Sequence, residues 1–124
     1  MLLLALVVAG AACAASEPQG AAGDVHRGGV LYATNGCAAC HGNEGHGNGP
    51  LAKTLHPPPR DFRHADAFKN GTDPDSIATT LATGLTRDGG QMQSYAHLSE
   101  RERHLIAQYV ISLRAQPTAG EGSQ

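Results

Sequence analysis

The stretch Cys37-Ala38-Ala39-Cys40-His41 decides how the rest of the chain is read. Its C-x-x-C-H spacing is that of c-type haem attachment. Two thiols three residues apart can each add to one vinyl group at the porphyrin edge, and the adjoining imidazole then meets the iron from one face. Ala38 and Ala39 are small enough for the backbone to pass close to the ring. Other uses of the same residues fit less well. A Cys37–Cys40 disulfide would suit an oxidising compartment, but redox-active C-x-x-C pairs sit between a strand and a helix, and no strand pattern precedes this one. A zinc site could recruit His46 beside Cys37, Cys40 and His41, yet a zinc finger needs a longer span between its Cys pair and its His pair. Haem c is the expected cofactor, with Cys37 and Cys40 as thioether anchors and His41 as the proximal iron ligand.

Composition points the same way. The 124 residues suffice for one domain. After residue 15, Val, Leu, Ile and Phe make up only 16 of 109 residues, below the roughly 20% at which a chain begins to look unable to fold. Disorder also needs a high net charge, and the formal charge is −2. With no Trp, three Tyr and two Phe, the chain is expected to fold around an apolar body that its side chains do not supply. A porphyrin is such a body, so the haem-free chain should fold poorly, as small metal domains do without their ligand. No basic stripe is present, which excludes nucleic acid as a partner.

A low-spin electron-transfer haem takes a second axial ligand, usually Met or His. Beyond Met1 the only methionine is Met92, which lies just before the last helical stretch, between Gly89-Gly90 and Tyr95. A methionine that merely fills a core would sit on an apolar helical stripe. This one follows Thr86-Arg87-Asp88-Gly89-Gly90-Gln91, and it is the expected distal ligand. The histidine rivals are His46, the best placed, with His56 and His64 in the same long loop; His26, His97 and His104 lie in or beside helices and read as surface groups.

Residues 1–15 carry no charge and are too short to span a bilayer, which takes about 20 apolar residues. Ala12-Cys13-Ala14 fits a signal-peptide cleavage site, although no positive segment precedes the apolar run. A second reading takes residues 10–13 as a lipobox with a lipidated Cys13, the one route to membrane attachment. Either way the chain is expected in the periplasm, free or lipid-anchored to a membrane facing it. Residues 16–23 read as a linker and 116–124 as a flexible tail. Between them three helices are expected, with no strand. The first starts at Asp24 as N-cap and ends at Thr34; the second follows Asp73-Pro74 and ends at Gly84. The third opens with the capping box Ser99-x-x-Glu102 and carries Leu105, Ile106, Tyr109, Val110 and Leu113 on one stripe. The long middle, residues 42–72, holds Pro57-Pro58-Pro59, an extended backbone laid against something. Its glycines Gly42, Gly45, Gly47 and Gly49 are expected to bring backbone close to the porphyrin.

Taken with Gly45-His46-Gly47-Asn48-Gly49-Pro50, His56-Pro57-Pro58-Pro59-Arg60-Asp61-Phe62 and the final helix, these features resemble a small mono-haem class I cytochrome c domain of the exported bacterial kind. The resemblance covers residues 24–115. It implies an all-α fold of three or more helices and long loops wrapped around one covalently bound haem. It implies that Gly28 and Tyr32 on the first helix cross Leu105 and Tyr109 on the last. It also implies that a carbonyl within residues 56–59 accepts a hydrogen bond from His41. Two positions depart from the family pattern: Asn48 replaces an Asp, and Gln93 replaces the Pro after the axial Met. The function expected is one-electron transfer, not catalysis, because His41 and Met92 together saturate the iron. Donor and acceptor redox proteins would dock briefly at the haem edge, over a small interface. The alternatives are a cytochrome subunit of a larger oxidoreductase complex, and a five-coordinate catalytic or gas-binding haem protein. The last requires that Met92 not ligate.

Overall fold

A computed structural model of the chain describes residues 20–87 and 90–114. Among the described residues there are four helices: α1 (Ala21–Thr34), α2 (Cys37–His41), α3 (Pro74–Thr83) and α4 (Glu100–Arg114). Two single 3-10 turns, Ala52–Thr54 and Ala65–Ala67, punctuate the long middle loop. The leader at 1–15, with Cys13, and the tail at 116–124 lie outside the described residues.

Three of these helices are the expected ones. The α3 helix opens as its sequence predicts, with the Asp73 carboxylate accepting from the Ser76 N–H at 2.9 Å and Pro74 at the first position. The α4 capping box is reciprocal: Ser99 N–H donates to Glu102 Oε2 at 2.8 Å, and Glu102 N–H donates to Ser99 Oγ at 3.2 Å. The α1 helix begins earlier than expected. The Asp24 N–H donates to the Gly20 carbonyl at 3.0 Å, so Gly20 caps the helix and the last three residues of the 16–23 stretch are helical. Asp24 lies instead in the first turn, where a carboxylate complements the helix dipole. The attachment motif itself is the fourth helix, a single turn whose shortness leaves no periodic signature.

The expectation of no strand does not hold. Leu85–Arg87 (β1) and Gly90–Met92 (β2) pair antiparallel, with Leu85 opposite Met92. Three-residue strands are too short to show alternation; the available sign was Asp88-Gly89, a pair that favours hairpin turns.

The α1 and α4 helices cross at Gly28. A β-carbon built there would fall 2.0 Å from the Leu105 carbonyl oxygen and 2.9 Å from the Tyr109 Cβ. Beside it the Tyr32 and Tyr109 rings meet at 5.2 Å, so the crossing uses the four residues expected. The α4 helix also packs on α3, and the core between them is small: Ile77, Leu81, Ile106, Val110 and Leu113, joined by Tyr32, Phe62 and Tyr95.

The middle loop wraps the attachment turn. Gly47, Gly49 and Leu51 donate backbone N–H groups to the carbonyls of His41 (2.8 Å), Cys40 (3.1 Å) and Ala39 (2.9 Å). These are the orphan carbonyls a short helix leaves at its C-terminal end. The loop glycines therefore serve the chain, not a porphyrin face. A β-carbon at Gly45 would lie 2.4 Å from the Phe62 ring, and one at Gly49 would lie 2.4 Å from the Ala39 carbonyl. The Pro-rich segment rests on the hairpin, with Pro57 so close that a β-carbon at Gly90 would lie 2.5 Å from its Cδ. No helix among the described residues is long and apolar enough to cross a membrane.

Candidate functional site

A cleft opens between these elements. Its walls are apolar: Ile77 and Leu81 from α3, Leu85 from β1, and Ile106 and Val110 from α4. Three of the four residues singled out by the sequence reach it. Cys37 and His41 line it from α2, and Met92 lines it from the end of β2. Cys40, the fourth, is half-buried on the same helical turn. Neither Cys37 nor Cys40 is in a disulfide. Burial pushes the Cys37 thiol up from its ordinary value.

His41 is held in one chemical state. Its Nδ1 lies 3.2 Å from the Arg60 carbonyl oxygen. A carbonyl can only accept, so Nδ1 carries the proton and Nε2 keeps a free lone pair. Burial lowers the imidazole to about 4, so the ring is neutral at physiological pH. Phe62 stacks on it at 4.6 Å with 26° between planes. An oriented, neutral imidazole whose other nitrogen is tied to a carbonyl is the arrangement of a metal-ligating histidine.

The orienting carbonyl belongs to Arg60, one residue past the 56–59 segment in which it was expected. The Pro run sets an extended backbone, and the carbonyl that turns inward is the first one beyond it. Sequence reasoning also missed Phe62. Its signal was being one of only two Phe in a chain poor in aromatics. The Tyr32 O–H, which donates to the Gly42 carbonyl at 2.7 Å, fastens α1 to the end of the attachment turn.

The histidine rivals do not reach the cleft. His46 sits 3.7 Å from Glu44 Oε2, and His56 and His64 are exposed. Among the described residues no three His, Cys, Asp or Glu side chains are grouped to hold a metal ion, so the zinc arrangement with His46 does not form.

This donor set fits a haem. It has two thiols at the attachment spacing, a neutral imidazole with one free nitrogen, a thioether lining the same cleft and apolar walls. It also has a buried Arg60 Nη2 without a hydrogen-bond partner, which suits a cofactor that carries carboxylates.

Comparison with known proteins agrees. The profile described as cytochrome c oxidase, cbb3-type, subunit III matches residues 23–110, and the chain belongs to that family. It is accordingly a cytochrome c domain, with haem c and its iron as cofactor and electron transfer as its chemistry. Among solved structures it is similar to a chain of the reducing HAO-like protein complex of Kuenenia stuttgartiensis. The TM-score is 0.63 and the identity 35%, over 73% of this chain. The match spans 43% of that longer chain. No curated protein matches the sequence.

Proposed function

We propose that the chain relays single electrons through one haem, held by thioethers from Cys37 and Cys40 and ligated by His41 Nε2 and Met92 Sδ. One C-x-x-C-H motif provides for one haem. The observation that carries the reading is that Cys37, His41 and Met92 line a single apolar cleft. The haem iron supplies the chemistry by cycling between Fe(II) and Fe(III). The chain's own residues do the rest. The Arg60 carbonyl fixes the His41 tautomer, Phe62 fixes its plane, and the walls from α3 and α4 keep water out. A soft thioether favours Fe(II) and raises the potential over that of a bis-histidine site. His41 and Met92 would together hold the iron and leave it no position for a substrate.

Two finer points belong to the same proposal. The apolar residues 1–15 support export to the bacterial periplasm, with processing after Ala14 or Ala15 or lipidation of Cys13. The likeness to a chain of a multi-protein complex favours a fixed relay inside a larger oxidoreductase assembly over a free shuttle. Size-exclusion of native extract separates the two: co-elution with large protein supports the relay, and elution as a small monomer supports the shuttle.

Met92→Ala tests the site. The oxidised wild type should show a weak far-red sulfur-to-iron band, and the reduced wild type should refuse carbon monoxide. The variant should lose the band, gain carbon monoxide binding and show a lower potential. Wild-type protein that binds carbon monoxide readily, with a spectrum indifferent to Met92→Ala, would instead establish the five-coordinate alternative.

A further inference from the structure

The segment that follows Met92 is fastened to the C-terminal end of α3. The Tyr95 N–H donates to the Leu81 carbonyl at 2.7 Å, and the Ser94 hydroxyl donates to the Ala82 carbonyl at 2.7 Å. Both carbonyls belong to the last turn of α3, where a helix has no partners of its own for them. The same Ser94 oxygen accepts the Ala96 N–H at 3.2 Å, so one hydroxyl ties the loop to the helix and to itself. Gly84, which caps α3 at a φ of 72°, lets the two backbones meet. A β-carbon there would lie 2.8 Å from the Met92 carbonyl oxygen and 2.9 Å from the Ser94 nitrogen. On its other side Met92 pairs with Leu85 through the hairpin. Met92 therefore enters the cleft from a segment anchored at both ends, and of these hydrogen bonds only those of Ser94 use a side chain. Gln93, between Met92 and Ser94, does not fix the backbone as the Pro of the family pattern would.

We propose that Ser94 is a positioning residue for the axial ligand: its hydroxyl clasps the loop after Met92 to α3 and so keeps the thioether in the cleft. The inference rests on the ligation proposed above and names what maintains it. The clasp matters more to ligation than to folding. Ser94 is exposed and the Ala82 carbonyl lies at a helix end, so water satisfies the groups that lose the hydroxyl. What goes with the hydroxyl is the bias between a loop docked on α3 and one lifted away from it. A loop that lifts more often opens the iron to a competing ligand more often, by the factor that the equilibrium shifts. The net worth of a typical hydrogen bond shifts such an equilibrium by about three- to tenfold. Linkage requires the converse: displacing Met92 from the iron must loosen the clasp.

The test uses haem-loaded, oxidised protein, with imidazole as the competing ligand and the far-red sulfur-to-iron band as the readout. Ser94→Ala should lower the imidazole concentration that removes half of the band by about three- to tenfold. Ser94→Thr, which keeps the hydroxyl, should restore the wild-type midpoint. Ser112→Ala removes a hydroxyl-to-carbonyl bond of the same kind within α4, 2.6 Å to the Tyr109 carbonyl, and should leave the midpoint unmoved. A Ser94→Ala midpoint equal to that of wild type, or an equal fall in Ser112→Ala, would overturn the proposal. If Ser94→Ala does not fold, wild type alone decides. Its Tyr95 and Ala96 amides should lose hydrogen-exchange protection when imidazole saturates the iron, while the amides of α1 keep theirs. Protection at Tyr95 and Ala96 that survives displacement of Met92 would overturn the proposal too. Wild-type protein with no far-red band, or with a band indifferent to Met92→Ala, would defeat the Met92 reading itself and the clasp with it.

Discussion

A single missing side chain sets the distance between the first and last helices. At Gly28 any β-carbon meets the Leu105 carbonyl at 2.0 Å, and that oxygen is backbone that cannot swing aside. Gly28→Ala must therefore push α1 away from α4 and disturb the Tyr32–Tyr109 contact. Overpacking of this kind costs about 1–3 kcal/mol, read as a lower denaturant midpoint for the haem-loaded protein. Val30→Ala, two residues on and 51% exposed, should change stability by no more than about 0.5 kcal/mol. Equal losses in the two variants would mean that the crossing is not what Gly28 provides. The same economy appears at Arg60, where one residue supplies a carbonyl to His41 and a buried N–H to the cleft.

Between elements, two contacts hold the halves of the site in register. One is Pro57 against Gly90, which steadies the hairpin carrying Met92. Gln93 follows Met92 where the family pattern has a stiffening Pro. The other joins α3 to α4 through His104, whose Nδ1 lies 2.9 Å from the Glu100 carbonyl and whose Nε2 lies 2.9 Å from Asp75 Oδ1. Both neighbours accept, and a neutral imidazole has only one N–H, so the two contacts are satisfied together only by the imidazolium. The Glu100 carbonyl first, and then Asp75, hold the His104 pKa above its ordinary value. A raised folded-state pKa means that the contribution is complete below about 6.5 and fades as pH rises through the folded value. The thermal midpoint should therefore fall between pH 6 and pH 8 by more in wild type than in Asp75→Asn. Identical pH profiles would show that the bridge contributes nothing to stability, and its exposed position keeps the expected difference small.

At the scale of the whole molecule, the helices surround a cleft that their own side chains do not fill. Among the described residues the buried apolar side chains are few, and several of them, Ile77, Leu81, Ile106 and Val110 among them, form the walls. A ligand that binds only the folded state adds its binding free energy to stability, and here that ligand also replaces missing core. Cys37 is 7% exposed, with its thiol pushed up by burial, while thioether formation needs an accessible sulfur. Protein with Cys37→Ala and Cys40→Ala, which cannot hold haem covalently, should show weakened near-ultraviolet circular dichroism and broad, poorly cooperative thermal unfolding. A sharp, wild-type-like transition in that haem-free variant would show that the polypeptide core suffices alone.

Much of this was legible in the chain itself. The Gly28 crossing was implied by the family resemblance and Met92 was singled out as the one methionine beyond Met1, whereas the attachment motif and the capping of α3 and α4 rest on local chemistry: a spacing of thiols, a carboxylate three residues from an N–H. Such features are set within one or two turns of backbone, where sequence distance and spatial distance are nearly the same. The hairpin under Met92 escaped because three-residue strands have too little alternation to read. What only the tertiary structure decided are the contacts across long loops. It selected the Arg60 carbonyl from several successive candidates, laid Phe62 on His41, turned the loop glycines toward protein, and left one guanidinium N–H buried in the cleft. Each depends on how a Pro-rich segment of some thirty residues folds back on a five-residue helix. That path is chosen by the packing of the whole, because no local hydrogen bond or propensity distinguishes one carbonyl of an extended chain from the next.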